Sequence, residues 1–121
     1  MKKILFIEDE SALQETFGDL LTEEGYQMIK AIDGQSGLRL AKSEKPDLIL
    51  LDLILPKMNG FEVLEDIRKD EDIKDTPVII LTNLESAGDV QKAIELGAKD
   101  YLVKANYKMK EVLEKIKLAI K

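Results

Sequence analysis

Apolar residues fall along the chain in two rhythms. Short unbroken runs stand at residues 4–7, 48–51 and 78–81, with a briefer one at 102–103. Such runs suit strands buried on both faces, as in a parallel sheet. Residues 26–31 interleave Gln27 and Lys30 with apolar positions, which fits an edge strand with one wetter face. Between the runs the spacing turns helical. Leu13, Phe17, Leu20 and Leu21 share one face at i, i+4, i+7 and i+8. Ser11 followed by Gln14 has the form of a capping box, and Gly25 stands where a helix stop belongs. Asp33 and Gly34 open a second helix that runs to about Ser43, before Pro46. Asn59 and Glu62 open a third, which packs Phe61, Leu64 and Ile67. Val90, Ala93 and Ile94 belong to a fourth that stops at Gly97. Met109, Val112, Leu113, Ile116 and Ile120 trace the last, with Asn106 as its expected cap.

A strand followed by a helix, repeated five times with short connections, predicts an α/β fold: a five-stranded parallel sheet with helices on both faces. With the alternating second strand at an edge, the expected order is 2-1-3-4-5, a flavodoxin-like (βα)5 three-layer sandwich. The length of 121 residues suits a single domain, taken as residues 1–121. The charged stretch at 68–75 is expected to be a solvated loop.

Composition then narrows the chemistry. The chain has no Cys and no His, so thiol nucleophiles, imidazole bases, Ser-His triads and zinc-thiolate sites are excluded. A net charge of −6 and a pI near 4.8 argue against direct nucleic-acid binding. No apolar run approaches the ~18–20 residues of a membrane span. Glu8, Asp9 and Glu10 cut short the only N-terminal apolar stretch, so a secretory signal is not expected and a cytoplasmic location is. What remains is carboxylates, hydroxyls, Lys and a divalent cation.

In open α/β sheets, ligands bind beyond the carboxyl ends of the strands. The first strand ends in Glu8, Asp9 and Glu10, the third in Asp52, the fourth in Thr82 and the fifth in Lys104. In the expected order these strands are neighbours, so their ends converge. Each residue alone has a plainer reading. Glu8 and Asp9 suit the start of a helix, Asp52 a cap, Thr82 a local loop bond, and Lys104 the surface. Together they present three carboxylates, each like-charged pair costing about 4 kcal/mol at ~4 Å and an effective dielectric of ~20. A hard divalent cation such as Mg²⁺ relieves that repulsion and keeps waters that a phosphate displaces. Thr82 and Lys104 add donors for phosphoryl oxygens, so the set reads as a phosphoryl-transfer site with an aspartate nucleophile.

These residues also carry a resemblance. The acidic pair Glu8-Asp9, the run Asp-Leu-Ile-Leu-Pro-Lys-Met-Asn-Gly at 52–60, Thr82, Tyr101 and Lys104 are similar to the pattern of the response regulator receiver family of two-component signalling. The likeness extends from Lys3 to Ile120. It implies that Asp52 is the phosphoacceptor and that Asp9, Asp52 and the backbone carbonyl of Ile54 hold Mg²⁺ directly, with Glu8 acting through water and Mn²⁺ as an alternative ion. It implies that Lys104 pairs with the phosphoryl group, that Thr82 donates to it, and that Thr82 with Tyr101 forms the switch. The implied partners are a histidine kinase or histidine phosphotransfer protein and a downstream protein at the face of the fourth helix, fifth strand and fifth helix. On this reading the chain is a signalling module rather than an enzyme, with no output domain, no nucleic-acid contact and no membrane insertion.

Other readings compete with it. A Mg²⁺-dependent phosphohydrolase resembling the haloacid dehalogenase family would carry Asp-x-Asp after the first strand, where this chain has Glu8-Asp9-Glu10. A flavin carrier would need a phosphate loop there, and a receiver-fold scaffold could act unphosphorylated. The chain also departs from the receiver pattern. Ala105 replaces the usual Pro after Lys104, so a trans bond is expected, because a non-proline cis bond costs ~2.5–4 kcal/mol. Asn83 replaces a small residue, which narrows access, and apolar Ile54 and Leu84 are expected to slow hydrolysis of an acyl phosphate.

Overall fold

A computed structural model describes residues 1–120. Five strands alternate with five α-helices: β1 (Lys3–Ile7), α1 (Ser11–Glu23), β2 (Gln27–Ala31), α2 (Gly34–Glu44), β3 (Leu48–Leu51), α3 (Gly60–Lys69), β4 (Val78–Thr82), α4 (Ala87–Glu95), β5 (Asp100–Val103) and α5 (Met109–Ala119). A single 3-10 turn, Lys104–Asn106, separates β5 from α5. The strands are parallel in the order β2-β1-β3-β4-β5, as the hydrophobic pattern implied.

The unbroken apolar runs are explained by the two layers they feed. Successive strand residues point to opposite faces. Leu5, Ile7, Ile49, Leu51, Val78 and Ile80 pack on the side of α2, α3 and α4, against Ala41, Val63, Leu64, Ile67 and Ala93. Ile4, Phe6, Leu48, Leu50, Ile79 and Leu81 pack on the other side, against Phe17 and Leu21 of α1 and Val112, Leu113 and Ile116 of α5. Phe6 and Phe17 meet edge to face at 5.8 Å, which fixes α1 over β1. In β2, Gln27 and Lys30 are exposed, as befits an edge.

Helix starts follow local chemistry, with two corrections. Asp33 accepts from the Ser36 N–H and Asn59 from the Glu62 N–H, as expected of N-caps. Ser86 caps α4 in the same way through the Asp89 N–H. Ser11, however, is the first residue of α1 rather than its cap. Glu10 holds the cap position without a side-chain bond, and Gln14 turns inward instead of back. Asn106 does not cap α5 either. The chain winds a 3-10 turn through Asn106, and α5 starts after Lys108, whose N–H donates to Glu111 at 2.9 Å. Gly97 ends α4 with φ +101°, a left-handed conformation that glycine adopts without strain. No described peptide bond is cis, the one between Lys104 and Ala105 included. No helix among the described residues is long and apolar enough to cross a membrane.

Candidate functional site

Because β1, β3, β4 and β5 lie side by side, their carboxyl ends open onto one cleft. The Asp52 N–H donates to the Ile7 carbonyl, so the end of β1 and the residue just beyond β3 are tied together. Register then places Thr82 opposite Val103, one residue before Lys104. Gly60 closes the loop after β3. A Cβ there would collide with the Asp52 carbonyl oxygen and the Leu53 backbone, so glycine is what allows α3 to approach so near.

The acids converge as the sequence implied. One carboxylate oxygen from each of Glu8, Asp9 and Asp52 lies within 4.8 Å of the others. Glu8 is fully buried and Asp52 nearly so, while Asp9 is exposed at the mouth. The Lys104 ammonium stands 2.8 Å from Glu8 Oε1, 3.0 Å from Asp52 Oδ2 and 3.7 Å from Glu10 Oε2. Backbone donors hold the remaining oxygens: Glu10 N–H to Glu8 Oε2 at 3.0 Å, and Ile54 N–H to Asp52 Oδ1 at 3.1 Å.

The charges are only partly compensated. Burial pushes the Glu8 carboxyl above its ordinary range. Lys104 and the Glu10 N–H pull the other way without cancelling the shift, and Asp52 adds to it. Burial also disfavours the Lys104 ammonium, but its contacts with Glu8 and Asp52 outweigh that and hold its proton more tightly than usual. One ammonium does not neutralise the carboxylates around it. Glu8 Oε1 faces it closely but lacks an aligned hydrogen-bond donor, and it is the single such buried side-chain atom among the described residues. Hard oxygen donors gathered within 4.8 Å, surplus negative charge that one ammonium does not cancel, and an open side at Asp9 together fit a small divalent cation that keeps part of its water shell.

The other predicted residues surround this cluster. Thr82 is fully buried, and its hydroxyl accepts from the Leu84 N–H at a long 3.4 Å. Tyr101 is half-buried and its hydroxyl donates to the Leu84 carbonyl at 2.8 Å. Burial, helped by Asp89 and Asp52, raises the Tyr101 hydroxyl above its ordinary value, so it stays a donor. Leu84 therefore bonds both residues, donating from its N–H to Thr82 and accepting at its carbonyl from Tyr101. Ile54 lies at the rim with its side chain 53% exposed, and Asn83 is exposed.

Two residues near the cluster have no part in it on the sequence alone. Glu10 is there only a strand-end acid, yet it faces Lys104. Gln14 has the spacing of a capping partner, yet it is buried and donates into the end of the sheet. The signal was available: Gln14, Phe17, Gly18 and Leu21 recur at i, i+3, i+4 and i+7, the buried face of α1, so a polar residue sits on an inward stripe.

Known proteins resemble this chain in sequence and fold. Residues 4–117 match the model of the response regulator receiver domain. The DNA-binding dual master transcriptional regulator RpaA of Synechocystis is 38% identical over 121 residues, covering all of this chain and 50% of that protein. The chain spans about half the length of the curated relatives it matches. Among solved structures, a CheY-like receiver domain from Methanospirillum hungatei superposes with a TM-score of 0.92 at 30% identity, over 99% of this chain and 94% of that one. The receiver domain of the Pseudomonas aeruginosa sensor kinase PA1611, described with magnesium in its active-site cleft, gives 0.88 at 30% identity over 98% and 97% of the two chains.

Proposed function

The chain belongs to the response regulator receiver domain family of two-component signalling, and from that premise we propose that Asp52 accepts a phosphoryl group from a phosphohistidine. The donor sits on a histidine kinase or a histidine phosphotransfer protein, since this chain has no histidine of its own. A carboxylate oxygen of Asp52 attacks phosphorus. The new P–O bond forms as the P–N bond breaks, and the bonding pair returns to the imidazole nitrogen. Lys104, already 3.0 Å from Asp52, pairs with a phosphoryl oxygen. Asp9, Asp52 and the Ile54 carbonyl would hold Mg²⁺, or Mn²⁺ in its place, with Glu8 acting through water. When bound, the cation supplies positive charge against the carboxylates and the incoming phosphate.

The new group adds about −1.5 to −2 charge and three acceptor oxygens. Thr82 turns its hydroxyl toward them and gives up the weak bond from Leu84. Leu84 also holds the Tyr101 hydroxyl, so its movement frees Tyr101 to turn inward. The α4-β5-α5 face then changes shape for a downstream protein, a local charge event biasing a two-state element. Apolar Ile54 and Leu84 and the side chain of Asn83 leave little to orient an attacking water, so the acyl phosphate turns over slowly. On this reading the domain is a cytoplasmic signalling module with no direct nucleic-acid contact and no membrane insertion, in keeping with its charge of −6.

The observation that carries this proposal is the buried Asp52 carboxylate, bridged to Lys104 and gathered with Glu8 and Asp9 within 4.8 Å. The test is incubation with acetyl phosphate or phosphoramidate and Mg²⁺, read by intact mass. One phosphate should be added to the wild type and none to Asp52→Asn or to wild type without metal. Labelling that survives Asp52→Asn overturns the assignment, and continuous release of inorganic phosphate over many cycles would favour a phosphohydrolase instead.

A further inference from the structure

Gln14 stands outside every role described so far. It lies on the inward stripe of α1 with 5% of its surface exposed, and its Nε2 reaches three backbone carbonyls at the end of the sheet. The distances are 3.2 Å to Phe6, 3.3 Å to Glu8 and 2.9 Å to Ala31. The orientation of the amide is fixed by chemistry, because only its NH₂ end donates and all three neighbours accept.

The three carbonyls are not equivalent. Phe6 lies inside β1, and the Ala31 oxygen also receives the Glu8 N–H at 2.9 Å. Glu8 lies just past β1, where the chain leaves the ladder. Among the described residues its carbonyl has no donor other than Gln14. That carbonyl belongs to the peptide bond that joins Glu8 to Asp9. Gln14 thus holds, from the side of α1, the one peptide unit that carries both acids of the first strand end. Glu8 in turn directs its buried Oε1 toward the Lys104 ammonium, 2.8 Å away, at the centre of the acid cluster.

We propose that Gln14 is a positioning residue for the cation site, fixing the Glu8–Asp9 peptide so that both carboxylates face Asp52. The inference rests on the reading of Glu8, Asp9 and Asp52 as the Mg²⁺ site. Groups that orient metal ligands through one intervening bond commonly change metal affinity by about 10–100-fold when removed. Gln14 is such a group acting through the backbone, because it touches neither the cation nor the phosphate.

The test uses Gln14→Met, which keeps length and flexibility and removes both N–H donors. Mg²⁺ is titrated into wild type and variant, followed by the backbone amide signals of Asp9 and Ile54, with thermal midpoints recorded without metal. The expected result is a Mg²⁺ dissociation constant raised about tenfold, with phosphoramidate labelling at saturating Mg²⁺ returning to within about threefold of wild type. An unchanged dissociation constant beside a lowered thermal midpoint would make Gln14 a purely structural residue and overturn the inference. If the variant does not fold, the wild type still decides: its Gln14 side-chain amide signal should move with the same Mg²⁺ midpoint as Asp9, and a static signal refutes the coupling. The outcomes also separate the two proposals. Mg²⁺ affinity that depends on Gln14 in a protein that never labels Asp52 rejects phosphoacceptance alone, and labelling with Gln14-independent affinity rejects the positioning role alone.

Discussion

Lys104 and Arg68 are cations drawn into opposite ends of one sheet, and they are satisfied in opposite ways. Arg68, in the last turn of α3, donates to the Gly97 carbonyl from Nε and Nη2 at 3.1 and 2.7 Å. Its Nη1 donates to Lys74 and Thr76 at 2.9 and 2.7 Å. Its partners are neutral oxygens of the segments that enter β4 and β5. Burial lowers its proton affinity, Asp75 partly restores it, and a guanidinium remains charged regardless. Lys104 instead faces carboxylates, more than one ammonium can offset, and an oxygen beside it has no aligned donor. At the amino end every Arg68 hydrogen bond among the described residues goes to a backbone carbonyl, while at the carboxyl end the carboxylates exceed the one ammonium facing them. The contrast accords with the proposal that the second end takes a cation.

Removing each cluster's key member should therefore have opposite signs. The largest effect is expected for Arg68→Ala. It deletes hydrogen bonds from a charged donor to three carbonyls, and such bonds contribute about 1.5–3 kcal/mol each without adding fully. A loss of about 3 kcal/mol is expected in urea unfolding, with phosphorylation at Asp52 unchanged in the folded fraction. A loss under about 0.5 kcal/mol, the range of ordinary surface changes, would remove the basis of the contrast.

At the other end, adding the missing charge should stabilise. Mg²⁺ at about ten times its dissociation constant should raise the unfolding free energy by about 1.4 kcal/mol, because it binds the folded cluster and not the separated acids. Glu8→Gln should do in part what the metal does. Burial raises the Glu8 carboxyl above its ordinary 4.5, so the fold prefers it neutral. In the unfolded chain Glu8 therefore ionises first as pH rises past 4.5, and the stability that Glu8 contributes to the metal-free protein falls until the pH passes the folded value. Glu8→Gln should abolish that decline and gain about 1 kcal/mol at neutral pH, a common size for relieving strain at a functional site. It should also weaken the Mg²⁺ response. A destabilised Glu8→Gln, measured without metal, would show that the ion pair with Lys104 outweighs the burial.

Much of this contrast could be read from the residues, and the remainder could not for physical reasons. The strands, both helix layers and the β2 edge followed from the apolar pattern, and the acid cluster followed once the known order 2-1-3-4-5 made four strand ends neighbours. Asp33 and Asn59 were legible as caps because a cap is decided within three residues. Ser11 with Gln14 had the same local form, yet tertiary bonding to Phe6, Glu8 and Ala31 overrode it. Asn106 failed as a cap because the chain first winds a 3-10 turn at Lys104. Arg68 showed only as part of a charged stretch, since its carbonyl partners at Gly97, Lys74 and Thr76 meet it through the fold alone. Backbone acceptors have no sequence signature: the buried stripe of α1 marks Gln14 as inward, but nothing in the sequence marks the carbonyls that Gln14 and Arg68 meet.

The smallest effect makes the sharpest comparison, because it sets two buried acids at the same end of the sheet against each other. Asp33 ends the β2 side as Glu8 ends β1, and both are largely hidden from solvent. Asp33, however, accepts from the Ser36 N–H at 2.7 Å and the Ser36 hydroxyl at 3.0 Å, with Lys57 at 4.0 Å. The Ser36 N–H holds its carboxyl below the ordinary 3.8, with burial opposing and the other contacts adding to the shift. The sign is thus opposite to that of Glu8. The stability contributed by Asp33 is complete above 3.8 and is lost as pH falls through its lower folded value. Asp33→Asn keeps an equally good N-cap, so at neutral pH it should cost only a few tenths of a kcal/mol. Below pH 3.8 it should lose less stability than wild type as the pH falls further. Unfolding curves at neutral pH and on the acid limb decide the matter. If Asp33→Asn instead gained stability at neutral pH as Glu8→Gln is expected to, buried charge alone would explain both acids, and the surplus charge around Glu8 would no longer mark a ligand site.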